Sequence, residues 1–304
     1  MNLLITGAWK NARKYLKQIE QMGNTVRFLQ YENEELPCNY DWVEGVICNG
    51  LFVHHPIEKF SKLKYIQLTS AGYDRVLVEY VRKQGIRINN AKGVYSTPMA
   101  EWVVMSVLLI YKNMREFFRK QQHRNWEKDR TLLELTDKKV CIVGYGSVGQ
   151  EVAKRLAAFD TEITVVNRSE VDDVLVHRWV PLEQIDEALP EADIVILCIA
   201  LTQDTKGLFD NDRLTKMKEE SALVNVSRGA VINEKALVQH LKEGKFRGVA
   251  LDVFEEEPLS ENSDLWDNPR VWCAPRQVDS EKNIKFFGCP VFAGQPFYAA
   301  FSCS

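Results

Sequence analysis

The chain of 304 residues is long enough for two ordinary domains, each burying its own core. Its 45% apolar and 27% charged residues are globular proportions, not those of a disordered chain. With 39 basic against 42 acidic residues and no basic block or stripe, it carries no electrostatic footprint of a nucleic-acid surface.

Met1-Asn2-Leu3-Leu4-Ile5-Thr6-Gly7 reads as a short buried strand running into a turn. It lacks the basic head and longer apolar stretch of a secretory leader. Val26 to Leu29, Gly45 to Cys48, Tyr65 to Leu68 and Ile86 to Ile88 are further short apolar runs bounded by Gly, Asn or Asp. Strands alternating with amphipathic segments predict parallel βαβ units, and hence one α/β domain. From Thr97-Pro98 to about Gln122, the apolar residues Val103, Val107, Leu108, Tyr111 and Met114 predict one long helix connecting to a second domain. There Lys139 to Val143, Ile163 to Val166, Ile194 to Leu197, Ala222 to Asn225 and Gly248 to Leu251 are near-continuous apolar runs, suited to strands buried on both faces of a parallel sheet.

No apolar run reaches bilayer length, so no membrane role is expected. The seven cysteines (Cys38, Cys48, Cys141, Cys198, Cys273, Cys289, Cys303) are odd in number and irregularly spaced, which favours a reducing cytoplasm over a disulfide framework. None pairs at ligand spacing with His54, His55, His123, His177 or His240, so no metal is expected.

Gly144-Tyr145-Gly146-Ser147-Val148-Gly149 is a GxGxxG placed directly after one strand and before an amphipathic segment, Gln150 to Phe159. Alone, such a motif is only a glycine-rich turn. Inside a βαβ unit of about 30 residues it predicts a dinucleotide-binding Rossmann domain. The first glycine permits the turn, the second admits the pyrophosphate and the third lets helix and strand pack, with the diphosphate on the helix N-terminus. About 20 residues on, NAD sites usually carry a carboxylate for the ribose 2′-hydroxyl. Here Asn167-Arg168-Ser169 stands instead. A carboxylate would repel a 2′-phosphate and an arginine binds one with charge assistance, so NADP(H) is the expected preference, with NAD(H) possible. A solvated Arg168 with no discrimination is the alternative.

From Leu63 to Pro275 the chain resembles the D-2-hydroxyacid dehydrogenases, the family of D-lactate, glyoxylate/hydroxypyruvate and phosphoglycerate enzymes. The resemblance rests on Leu68-Thr69-Ser70-Ala71-Gly72-Tyr73-Asp74, Leu201-Thr202-Gln203-Asp204-Thr205, Asn225-Val226-Ser227-Arg228-Gly229 and Leu251-Asp252-Val253-Phe254-Glu255-Glu256-Glu257-Pro258. It implies an α/β protein of two doubly wound parallel-sheet domains, one Rossmann and one flavodoxin-like. Residues 1–96 would open the substrate domain, 97–275 would bind the cofactor, and 276–304 would return to the substrate domain. Arg228 would hold the substrate carboxylate and carbonyl, aided by the Ala71 and Gly72 amides. Ala200, Leu201, Thr205, Val226, Ser227 and Asp252 would line the dinucleotide, and Glu257 would orient and charge a histidine. As one residue of an acidic run, Glu257 could equally be solvated.

The resemblance also implies a homodimer formed through helices around Met114 to Trp126, where Phe117, Phe118 and Trp126 are either that surface or ordinary core. The substrate, a small 2-hydroxy or 2-keto acid, would meet residues around Asn49-Gly50-Leu51 and Tyr73.

One position departs. The family carries its acid–base histidine after a proline shortly beyond the Glu-Pro signature, and here Ala274-Pro275-Arg276 stands there; no histidine follows His240. Arginine stays protonated, with a pKa above about 12, and hardly exchanges protons. An oxidoreductase with impaired turnover is therefore expected. The alternative is a nicotinamide-sensing or protein-binding module, as in the related C-terminal-binding transcriptional corepressors. Residues 277–304 resemble the family poorly, and a changed reading frame or divergence would each account for them.

Overall fold

Short apolar strands dictate the architecture, because a strand apolar on both sides must be covered on both faces. The computed structural model describes residues 1–274. They fall into two units, Met1–Tyr95 and a larger one beginning at Ser96. The expectations for Arg276 and for the return of 276–304 lie outside the described residues.

The first unit is a five-stranded parallel sheet of β1 (Asn2–Thr6), β2 (Thr25–Leu29), β3 (Gly45–Cys48), β4 (Tyr65–Leu68) and β5 (Arg87–Asn89). Its order β2-β1-β3-β4-β5 is flavodoxin-like. Helices α1 (Ala12–Gln21), α2 (Leu51–His54) and α3 (Val78–Lys83) connect the strands. Leu3, Ile5 and Ile47 serve one core layer, and Leu4, Val46 and Cys48 the other, the two-residue alternation of a pleated strand. Leu51, expected near the substrate, is fully buried in that second layer. Its side chain is core, because it opens α2 directly beneath β3 and β4.

The second unit opens with α4 (Ser96–Tyr111) and α5 (Met114–Gln122). Its seven-stranded sheet contains β6 (Lys139–Val143), β7 (Glu162–Asn167), β8 (Arg178–Pro181), β9 (Ile194–Leu197), β10 (Ala222–Asn225), β11 (Gly248–Leu251) and β12 (Val271–Cys273). Helices α6 (Ser147–Leu156), α7 (Asn211–Lys216) and α8 (Glu234–Lys242) complete it. The order β12-β11-β10-β9-β6-β7-β8 is the Rossmann order extended by one edge strand. Val140, Ile142, Ile194, Ile196 and Val224 meet α4 and α6 on one face. Cys141, Val143, Val195, Leu197 and Leu223 form the layer on the other. Each fully buried Val, Leu or Ile contributes roughly 1.5–3 kcal/mol relative to exposure.

The single helix expected from Thr97 to Gln122 is corrected. It breaks after Tyr111, with Asn113 in the left-handed region at φ 47°. The apolar stripe ends there: Val103, Val107 and Tyr111 are buried, whereas α5 buries no residue. Asparagine tolerates that backbone, and its side chain donates to Asp129 Oδ2 at 2.9 Å. Arg115 then ties α5 to the sheet edge by donating to the Asn268 and Val271 carbonyls. The helix expected over Gln150 to Phe159 starts three residues earlier, at the motif itself, and tightens into one short turn after Leu156. Among the described residues no helix is long and apolar enough to cross a membrane, and no cluster of metal-ligating side chains occurs.

Candidate functional site

The parallel register is what assembles the site. Val166, Val143, Leu197, Asn225 and Leu251 lie in one row across five strands. The residues that follow them therefore emerge together at the carboxyl edge: Asn167-Arg168, Gly144, Cys198 to Ala200, Val226 to Arg228, and Asp252. The order reverses between β6 and β9, the switch point where open α/β sheets bind ligands.

At that point Gly144 adopts φ +94°, and a Cβ there would lie 2.7 Å from the Ile199 Cα. At Gly149 a Cβ would lie 2.3 Å from the Gly144 carbonyl oxygen, so only glycine lets α6 approach β6 this closely. Gly146 is different: nothing lies within 4 Å of its Cβ position. It caps α6 with no side-chain hydrogen bond, which leaves the first-turn N–H groups to an external acceptor. An open cradle over an uncapped helix start fits a diphosphate.

Beside it, Asn167 organises the turn after β7. Its Oδ1 accepts from the Tyr145 N–H at 3.4 Å and its Nδ2 donates to the Ser169 carbonyl at 2.9 Å. Tyr145 is buried and donates its hydroxyl to Asp173 at 2.9 Å; burial first, then this anion, raises its pKa. Arg168 donates to Thr202 Oγ1 at 3.2 Å and Asp204 Oδ2 at 3.0 Å across the edge. The loop carrying Ala200, Leu201 and Thr205 is stiff at its base, because buried Thr205 donates to the Ala200 carbonyl and accepts from the Thr202 N–H, both at 2.7 Å.

At β10 the controlling residue is Asn225, 1% exposed. Its Oδ1 accepts from both the N–H and the hydroxyl of Ser227, and its Nδ2 donates to the Arg228 carbonyl at 3.1 Å. This side-chain-built turn launches half-buried Arg228, whose Nη1 donates to the Ser227 carbonyl at 2.8 Å. Gly229 packs so closely on the Phe254 backbone that a Cβ would overlap its carbonyl carbon. The Arg228 loop and the 252–257 loop are thereby held together. Asp252 is buried, and exposed Glu257 accepts from the Phe254 N–H at 3.3 Å.

In the first unit the Ala71-Gly72 loop is braced by Asn90, which donates to the Ala71 carbonyl at 2.5 Å, and by Ser70, which donates to that of Gly72 at 3.3 Å. Glu32 accepts from the N–H groups of Asn49 and Gly50 and from the Thr6 hydroxyl. Tyr73 is exposed.

The sequence-based site residues of the second unit therefore converge on one sheet edge. Sequence reasoning missed the parts played by Asn225, Gly229, Thr202 and Asp204. Asn-x-Ser at a strand end is a recognisable turn signal for Asn225. No local signal marks Asp204, whose partner is 36 residues away.

A Rossmann strand order, its glycine turn and an open helix start define a dinucleotide-binding α/β protein. Residues 104–276 match the family model described as D-isomer specific 2-hydroxyacid dehydrogenase, NAD binding domain. The chain belongs to that family. It is 35% identical over 221 residues to a glyoxylate reductase of Thermofilum pendens, covering 70% of this chain and 65% of that protein. It is also 35% identical over 208 residues to a D-3-phosphoglycerate dehydrogenase of Methanocaldococcus jannaschii, covering 68% of this chain and 40% of the relative. These matches thus span less than two thirds of either relative. A solved glyoxylate reductase of Paecilomyes thermophila superposes with a TM-score of 0.80 at 27% identity, covering 91% and 88% of the two chains.

Proposed function

We propose that the chain is an NADP(H)-linked oxidoreductase that interconverts a small D-2-hydroxy acid and its 2-keto acid, and that it turns over poorly. The carrying observation is the open Gly146 cradle, with Arg168 on one side of it and the Arg228 loop on the other, along a single sheet edge. The bound dinucleotide supplies or accepts the hydride. Arg228, projecting from a turn that Asn225 holds rigid, offers a planar fork of donors to the substrate carboxylate and carbonyl. The proton on the carbonyl oxygen needs a group titrating near neutral pH, and Arg276 is not one. Glyoxylate, named in several relatives, supports a small substrate.

Arg168, without a neighbouring carboxylate on its own strand end, favours the 2′-phosphate. NADPH should bind about tenfold more tightly than NADH, a difference that Arg168→Ala should remove by weakening NADPH alone. Fluorescence titration of both nucleotides measures this. Equal or tighter NADH binding by the parent chain overturns the preference.

Arg276 also favours a second reading, a nicotinamide-responsive binding module. Sustained NADPH oxidation with any small 2-keto acid rules it out.

The chain is further read as a homodimer. The support is an apolar groove between α4 and α6, lined by Val104, Met105, Leu108, Leu109, Ala158 and Phe159, together with exposed Phe117, Phe118 and Trp126, which are surface rather than core. Light scattering should give twice the 35.0 kDa chain mass, and exposed Met105→Glu should shift the mass toward that of one chain. A monomer in the parent chain refutes this. Five free cysteines among the described residues fit a reducing, cytoplasmic setting.

A further inference from the structure

Arg168 is already engaged. Its guanidinium is bound to Asp204 at 3.0 Å and to the Thr202 hydroxyl at 3.2 Å, so the turn after β7 is latched to the loop after β9 at the ribose end of the cradle. The side chains of both ions are largely exposed, 53% for Arg168 and 78% for Asp204. Such a pair is weak and screened by salt, and a stronger anion opens it readily. Thr202 is steadied by Thr205, whose hydroxyl lies 3.2 Å from its own, so this wall of the latch is held from below. Within the turn, the Asn167 amide is committed to Ser169 and Tyr145, and Asp173 to the Tyr145 hydroxyl.

We propose that Asp204 is a specificity-determining residue that acts against Arg168. It holds the guanidinium when the ribose carries a 2′-hydroxyl and must be displaced by a 2′-phosphate, so it limits the NADP(H) preference. The proposal rests on the assignment of Arg168 to the 2′-phosphate. Its physical basis is competition. A carboxylate and a phosphate seek the same donors, and a displaced carboxylate left nearby repels the phosphate that replaced it. The residue thus moderates a preference that the β7 end alone would make steeper.

The test compares binding of NADPH and NADH to the full chain and to Asp204→Asn, Thr202→Val and Arg168→Ala, by calorimetry. Adenosine 2′,5′-bisphosphate and AMP serve as probes of the ribose end alone. Asp204→Asn should tighten NADPH and the bisphosphate about fivefold, the ceiling of an exposed pair, and move NADH and AMP less than twofold. The gain should shrink as salt rises. Thr202→Val should change NADPH by less than Asp204→Asn, since the hydroxyl carries no charge. If Asp204→Asn leaves the bisphosphate unchanged while Arg168→Ala weakens it, the role of Asp204 fails and that of Arg168 stands. If Arg168→Ala does not weaken the bisphosphate relative to AMP, the assignment of Arg168 fails and the proposal with it. If Asp204→Asn mainly weakens NADH and AMP, Asp204 instead accepts from the ribose hydroxyl, and the proposal is overturned.

Discussion

Arg276→His is expected to raise turnover of glyoxylate or hydroxypyruvate by roughly 10²–10⁴-fold, the usual worth of a positioned general acid. NADPH affinity should change less than twofold. The reasoning is chemical. Hydride arriving at a carbonyl carbon leaves an alkoxide, and a neighbour must deliver a proton as that charge grows. Imidazole does so near neutral pH, and Glu257, to which the family resemblance gives the role of orienting that histidine, would raise its pKa and favour the charged donor. Guanidinium can stabilise the oxygen but gives up its proton only above about pH 12. The histidine variant should also acquire a pH dependence near neutrality that the parent chain lacks. Measuring kcat for both across pH 5 to 9 checks this. Strong turnover by the parent chain would refute the assignment, and no gain in the variant despite intact NADPH binding would favour the sensing module.

The second large effect separates two glycines of one motif. Gly146→Val should fold normally, because its φ of −79° and ψ of −165° lie in a region any residue adopts and its Cβ meets nothing within 4 Å. The added side chain fills the cradle instead, and dinucleotide affinity should fall by about 100-fold or more, near 2.7 kcal/mol. Gly149→Ala forces a Cβ to 2.3 Å from the Gly144 carbonyl oxygen, a backbone atom that cannot swing away. It should destabilise the second unit by about 1–3 kcal/mol and lower the Tm by several degrees. Thermal unfolding with and without 1 mM NADPH distinguishes them. The valine variant keeps its apo Tm and loses the ligand-induced rise, whereas the alanine variant starts lower. A valine variant that still shows the full rise would remove Gly146 from the diphosphate site.

The β6–α6–β7 unit was readable because its determinants are local. An apolar strand, three glycines at fixed offsets and a second apolar strand follow within about 30 residues. The central strands were equally legible, since burial on both faces demands an uninterrupted apolar run. β8 and β12 were not. Among the described residues they are the edges of the sheet, each paired with a neighbour on one side only, and Arg178-Trp179-Val180-Pro181 even contains a proline that an edge tolerates. The break at Asn113 was missed because α5 keeps good helix formers after the apolar stripe has ended. Leu51 likewise reads as a loop residue until β3 and β4 close over it.

Sequence alone therefore determined the fold class and the glycine turn, because each depends on residue identity and short-range spacing, and it alone carries the proposal about Arg276. Tertiary structure decided which strand ends share a row, that Asn225 builds the Arg228 turn, that Gly229 seats against Phe254, and that Arg168 meets Asp204. Those relations arise only when chain segments dozens of residues apart are brought together by burying their apolar faces. No local pattern encodes the partner that such burial delivers.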